Sequence, residues 1–175
     1  ELTQNVLSYT REDYNESKSV VQERFDVVDS LLTSKKRSIG VKWEVDLGDH
    51  IAGIKPNALT QVLLNLGVNA LDAIEDLPDD QKWIRTQATV KEDKLYIDCS
   101  NGGPPIPQKV QKRLFERGFS TKGDKGSGIG LYVSKRIIVE AGGDLLCAND
   151  TKSPCFQLIL PIADSNYSES STQVS

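Results

Sequence analysis

Residues 59–77 read LTQVLLNLGVNALDAIEDL. At 100° per residue around a helix, Leu59, Val62, Leu63, Leu66, Ala70, Ala73, Ile74 and Leu77 fall in one broad sector, the expected core face. Asn65, Asn69 and Asp72, separated by four and three, form a narrower stripe about a quarter-turn away. Two amides and a carboxylate at the margin of a core suit a hard cation with its waters, or the phosphates that such a cation carries. Polar residues at this spacing also occur on helix faces that are simply solvated, so spacing alone leaves both readings open. Pro56 fits the first turn of this helix, and Leu77-Pro78-Asp79-Asp80 ends it near Asp76.

The flanking segments alternate between strand and helix periods. Ser38–Gly48 (SIGVKWEVDLG) carries Ile39, Val41, Trp43, Val45 and Leu47 at alternate positions, the pattern of a strand with one buried face. Trp83–Val90 and Lys94–Ser100 read as a hairpin across Lys91-Glu92-Asp93-Lys94, with Leu95, Ile97 and Cys99 on one face. A Gly-, Pro- and Lys-rich loop follows from Asn101 to about Ser127, and a loop of that length is usually functional. Gly128–Ala141 is expected to be helical, with Val133, Ile137 and Ala141 inward, and Gly142-Gly143 to stop it. Asp144–Ala148 and Cys155–Leu160 read as closing strands. Before the body, Val21, Phe25, Val28 and Leu32 recur at helical spacing as an amphipathic, solvated arm; Leu2–Tyr9 resembles the end of an earlier helix, and the polar tail 164–175 is expected to be disordered. The divisions are therefore a helical arm over 1–37, a body over 38–163 and a tail over 164–175.

Composition narrows the function. The 175 residues fit one domain of ordinary size, and 21 Lys+Arg against 25 Asp+Glu leave a net charge of −4. That balance argues against a general nucleic-acid binder, which needs a basic stripe. Three widely spaced cysteines fit reduced thiols, one histidine excludes a His-rich metal site, and no apolar run approaches a membrane span.

Two further patches accompany the asparagine stripe. Lys125-Gly126-Ser127-Gly128-Ile129-Gly130-Leu131 leads into a helix. Its glycines allow backbone N–H groups close to phosphates, and the helix start adds partial positive charge; a flexible turn before a helix reads the same way. Asn101-Gly102-Gly103-Pro104-Pro105-Ile106-Pro107 follows a strand. It suits the edge of a flat base, or a plain Gly-Pro loop.

Together and in this order, the patches resemble the ATP-binding catalytic domain of two-component sensor histidine kinases, a fold shared with Hsp90, gyrase B and MutL. The resemblance covers about Ser38 to Ile162. Gln61–Ala70 is similar to the family's asparagine box, Leu114–Lys122 (LFERGFSTK) to its phenylalanine box, and Gly126–Arg136 (GSGIGLYVSKR) to its second glycine box. It implies a two-layer α/β sandwich, a mixed sheet of about five strands covered on one face by about three helices. It further implies ATP under a lid of about Pro104 to Lys125. Asn65 and Asn69 would hold Mg²⁺ and the phosphates, with Asp72 beside them. Lys122 would reach the terminal phosphates. Gly126, Ser127, Gly128, Ile129, Gly130 and Leu131 would cradle them. Asn101, Gly103 and Ile106 would receive the base, and Phe115 and Phe119 would anchor the lid.

Two departures stand out. The family's adenine-binding aspartate is Asn101 here, and its second glycine is Pro105. A neutral hydrogen bond contributes roughly 1 kcal/mol against roughly 1.5–3 for a charged one, so an affinity loss of about tenfold follows. Asp72 stands where many family kinases carry Lys; an acid there resembles the nitrogen-sensor subgroup and the Hsp90-like ATPases, but those ATPases usually carry a glutamate base where this chain has Asn65.

The implied function is transfer of the ATP terminal phosphoryl group to a histidine on a separate dimerisation domain, and from there to a response regulator receiver domain. The full-length protein would be a homodimer. The fragment would be a cytoplasmic domain without membrane or nucleic-acid contact, its parent either soluble or anchored in the inner membrane. His50 is the lone histidine and no His-box precedes it, so autophosphorylation by this chain alone is not expected. A degenerate nucleotide-binding or scaffold module, and an Hsp90/MutL-type ATPase, are the alternatives.

Overall fold

A computed structural model describes residues 18–123, 126–150 and 152–163. Leu2–Tyr9, Lys125 and the tail 164–175 lie outside the described residues. The order is β1 (Ser19–Val20), α1 (Val21–Ile39), β2 (Lys42–Asp46), β3 (Ile51–Ala52), α2 (Pro56–Ile74), a 3₁₀ turn (Asp79–Gln81), β4 (Trp83–Lys91), β5 (Lys94–Asn101), α3 (Gln108–Gln111), α4 (Gly130–Glu140), β6 (Asp144–Asp150) and β7 (Ser153–Pro161).

Five strands form one mixed sheet in the order β2-β4-β5-β7-β6. β2 runs parallel to β4, and the other pairs are antiparallel. The register aligns inward residues across the strands. Ala88 faces Ile97, Ile97 faces Leu158, and Leu158 faces Leu145. Ile97, Leu145 and Leu158 are fully buried, and they join α1, α2 and α4 in one continuous core. Each such side chain contributes about 1.5–3 kcal/mol of burial energy. The β4–β5 hairpin turns through Glu92 and Asp93, both left-handed at φ +49° and +59°, as a two-residue hairpin loop of the favoured hand requires. Cys99, on the inner face, has its thiol pushed up to about 12 by burial, so it is an inert core thiol.

The sequence expectation needs correction at several places. The strand expected from Ser38 begins only at Lys42, because α1 continues to Ile39 and ends on Gly40 in the left-handed conformation at φ +73°. Ile39 lies seven residues after Leu32, so it continues the helical stripe of Val21, Phe25, Val28 and Leu32 as well as the alternation that follows. The helix is not a solvated arm. Phe25 packs edge-on against Trp43 with ring centroids 5.5 Å apart. β1 pairs with β3, and Ala163 donates to the Ile51 carbonyl at 2.9 Å. Among the described residues the packed unit therefore includes the stretch from Ser19, ahead of residue 38.

The buried face of α2 is also rotated. Leu71 is fully buried while Ala73 is exposed, so the core centre lies away from the Asn65/Asn69/Asp72 stripe and Ala73 joins the open side. In α4 the fully buried residues are Ser134 and Ile138, with Ile137 and Val133 only half-buried.

Candidate functional site

The polar stripe of α2 faces the start of α4 and the loop before it. Asn65 is half-buried, and its Nδ2 donates to the Gly130 carbonyl at 3.3 Å and to Ser134 Oγ at 3.1 Å. One carboxamide thus joins the asparagine helix to the glycine-rich turn, 65 residues downstream. With its donor end held there, the Asn65 oxygen is the end that can ligate a cation. Sequence reasoning missed Ser134. The available signal was a hydroxyl one helical turn after Gly130, on the face that α4 buries.

One turn further along α2, Lys122 Nζ donates to Asn69 Oδ1 at 3.1 Å and also bonds Asp72 Oδ2. Lys35 of α1 pairs with the other Asp72 oxygen, so α1 also supplies a side chain to this cluster. Nothing in the local sequence marked Lys35. Partial burial works against the Asp72 carboxylate, but hydrogen bonds from Lys122 and Lys35 outweigh it and hold the carboxyl below its ordinary range.

That shift carries a pH prediction. The unfolded carboxyl titrates near ~3.9, and the folded one lies lower. The stabilisation is therefore complete above about pH 4 and is lost as pH falls through the folded value. Asp72→Asn should lower the urea midpoint at neutral pH, and the gap from the parent should close in acid. A gap independent of pH would contradict this.

The loop 104–123 lies down on the glycine-rich turn. Gly118 N–H donates to the Gly128 carbonyl at 3.0 Å. Gly128 is left-handed at φ +64°, and a Cβ there would lie 2.4 Å from the Gly118 carbonyl carbon, so both conformation and space demand glycine. Phe115 anchors the segment, packed edge-on to Phe156 at 6.5 Å with Lys135 over its ring. Phe119 does not share this packing; it is half-buried, with the Arg113 guanidinium 4.4 Å from its ring centroid. Gly126 is half-buried; Ser127 and Ile129 are exposed, and Ser127 Oγ accepts from the Ile129 N–H at 3.4 Å. Leu131 packs against the core. Ile106 is half-buried, and its carbonyl accepts from Gln111 Nε2 at 2.7 Å.

At the other end of α2, Asn101 closes β5 with its side chain buried at 4% exposure. Its Nδ2 has no hydrogen-bond partner. A Cβ at Gly103 would sit 2.8 Å from that nitrogen and 3.7 Å from the Ala73 carbonyl oxygen. Only glycine fits so close to the Asn101 amide, beside the C-terminal turn of α2. Asp98 faces elsewhere and accepts from Gln157 Nε2 at 2.8 Å, so it does not replace Asn101. From Asn65 to Ala73 the helix spans about 12 Å, with the glycine-rich turn at one end and Asn101 at the other.

The chain is similar to proteins of one family. The family model for histidine kinase-, DNA gyrase B- and HSP90-like ATPases matches residues 54–164. Sporulation kinase E of Bacillus subtilis is 33% identical over 150 residues, 84% of this chain and 20% of that protein. NtrB, a sensory histidine kinase/phosphatase of Rhizobium leguminosarum, is 30% identical over 115 residues, covering 59% of this chain and 30% of that one. The catalytic domain of histidine kinase ThkA superposes with a TM-score of 0.71 at 25% identity, covering 82% of this chain and 93% of that domain. The chain spans only a fifth to three tenths of the length of these two curated relatives. Among the described residues no helix is long and apolar enough to cross a membrane. The family model covers well over half of the sequence, and the chain belongs to the histidine kinase-, DNA gyrase B- and HSP90-like ATPase family.

Proposed function

We propose that this chain is the ATP-binding catalytic domain of a sensor histidine kinase, with Mg²⁺ as cofactor. The observation that carries the reading is the Asn65 carboxamide bridging to Gly130 and Ser134, since it sets side-chain oxygens of α2 beside the backbone donors of a helix start. Asn65 and Asn69 would hold Mg²⁺, and the oxygen chemistry fits a hard cation: the Lys122 ammonium already rests on Asn69 and Asp72 oxygens. Bound Mg²⁺ neutralises charge on the phosphates. Lys122, on the lid segment, releases its contacts with α2 and turns its charge to the terminal phosphates. The amides of the 126–130 turn and the start of α4 orient the phosphate chain, Asn101 and Gly103 receive the base, and the lid excludes water so that a histidine is the acceptor.

Asn65 lacks the basicity to activate water, which favours phosphoryl transfer over hydrolysis by the chain alone. The acceptor would be a histidine on a dimerisation domain of the same protein, with the stretch before Ser19 as that domain's trailing end, and the next acceptor a response regulator. The ThkA structure solved in complex with the response regulator TrrA, at 22% identity and a TM-score of 0.71, has the same fold.

His50 sits beside the small β1–β3 sheet, its carbonyl accepting from the Val21 N–H at 3.0 Å. Incubated with radiolabelled ATP and Mg²⁺, the chain should bind nucleotide yet carry no acid-labile label, and should label a dimerisation domain supplied separately. Label on His50 refutes the division of labour, and steady phosphate release by the chain alone favours an Hsp90-type ATPase.

A further inference from the structure

Asn101 differs chemically from a carboxylate in one respect that the fold leaves open. A carboxylate only accepts hydrogen bonds, whereas a carboxamide accepts at one end and donates at the other. In this chain the donor end is buried and unpartnered, a condition that costs stability unless a ligand supplies an acceptor. Turning the amide about its Cβ–Cγ bond exchanges the two ends without removing the donor. This nitrogen lies against Gly103, where a Cβ would come within 2.8 Å of it and within 3.7 Å of the Ala73 carbonyl oxygen and the Pro154 ring.

A purine presents a donor–acceptor pair along its six-membered ring, in one of two orders. A 6-aminopurine offers an amino donor and a ring-nitrogen acceptor, and a 6-oxopurine offers a carbonyl acceptor and a ring N–H donor. A carboxylate repels the 6-oxo group. A carboxamide pairs two-pronged with either order by a half-turn. Resting on the nucleotide-binding reading above, we propose that Asn101 makes this a dual-purine site, taking GTP and ITP as well as ATP.

The test is calorimetric titration of the chain, and of Asn101→Asp, with the Mg²⁺ complexes of ATP, GTP, ITP and CTP. The parent should bind ATP, GTP and ITP within about tenfold of one another, and CTP more weakly, because its base does not reach both ends of the amide. Asn101→Asp should open a preference for ATP over GTP and ITP of about tenfold or more, since the carboxylate still accepts from the 6-amino group but repels the 6-oxo group. The parent's own ratio decides the matter even if the variant folds poorly. A parent that already prefers ATP over both GTP and ITP a hundredfold, or binds CTP as well as GTP, overturns the inference while leaving the ATP site standing. Failure of all four to bind at millimolar concentration removes the site itself, and this inference with it.

Discussion

Asn69→Ala should reduce Mg²⁺-dependent ATP binding by about a hundredfold or more while leaving the fold intact. The Asn69 oxygen is in contact with the Lys122 ammonium, 3.1 Å away, so it lies where a cation is stabilised. Hydrogen bonds and ligation to a charged group contribute up to about 3 kcal/mol, which is about a hundredfold in affinity. Stability should change little. Asn69 is only half-buried, its observed partner is an exposed lysine, and alanine is the better helix former. Calorimetry with and without Mg²⁺, beside a thermal melt, separates the two quantities. Unchanged affinity would remove Asn69 from the site, and a collapsed melt would make its role structural.

Gly102→Ala should have the opposite profile, a large loss of stability. Gly102 follows β5 and donates to the Trp83 carbonyl at 3.0 Å. A Cβ there would lie 1.9 Å from the Gln81 carbonyl oxygen and 2.8 Å from Trp83 Nε1. Backbone cannot step aside as a flexible side chain can, so the start of β4 and the end of β5 must separate. Such overpacking costs about 3 kcal/mol, a fall in melting temperature of roughly 10 °C for a chain of this size. Gly40→Ala is the control. Gly40 is left-handed with nothing within 4 Å of a built Cβ, so only conformational strain of about 1 kcal/mol applies. Equal losses at the two positions would contradict the steric account. Asn101 adjoins Gly102 in sequence, so the damaged variant should also lose nucleotide affinity.

The contrast between these residues explains what was legible in the sequence. Local periodicity specified the elements. The Asn65/Asn69/Asp72 stripe, the Glu92–Asp93 turn and the glycine-rich lead into α4 are all local patterns, and the mixed five-stranded sheet agrees with the family resemblance. Ile39 was misassigned because it satisfies a period of two with Val41 and a period of seven with Leu32, and only packing against the body selects helix. Ala73 and Leu71 exchanged roles because both lie at the edges of the apolar sector, and only tertiary packing decides which edge is buried. Lys35, Ser134 and the unpartnered Asn101 nitrogen are products of tertiary proximity, for which a single sequence carries little signal. Phe119 rests on the Arg113 guanidinium, a contact that a single sequence does not signal.

The most direct measurement is a backbone amide NMR titration with the Mg²⁺ complex of a non-hydrolysable ATP analogue. Asn65, Asn69, Gly126, Gly128 and Gly130 should shift together along one binding curve, with Asn101 and Gly103 following the same curve from the base end. Perturbation of the α2 signals without those of the 126–130 turn, or the reverse, would show that the helix and the glycines do not share one triphosphate.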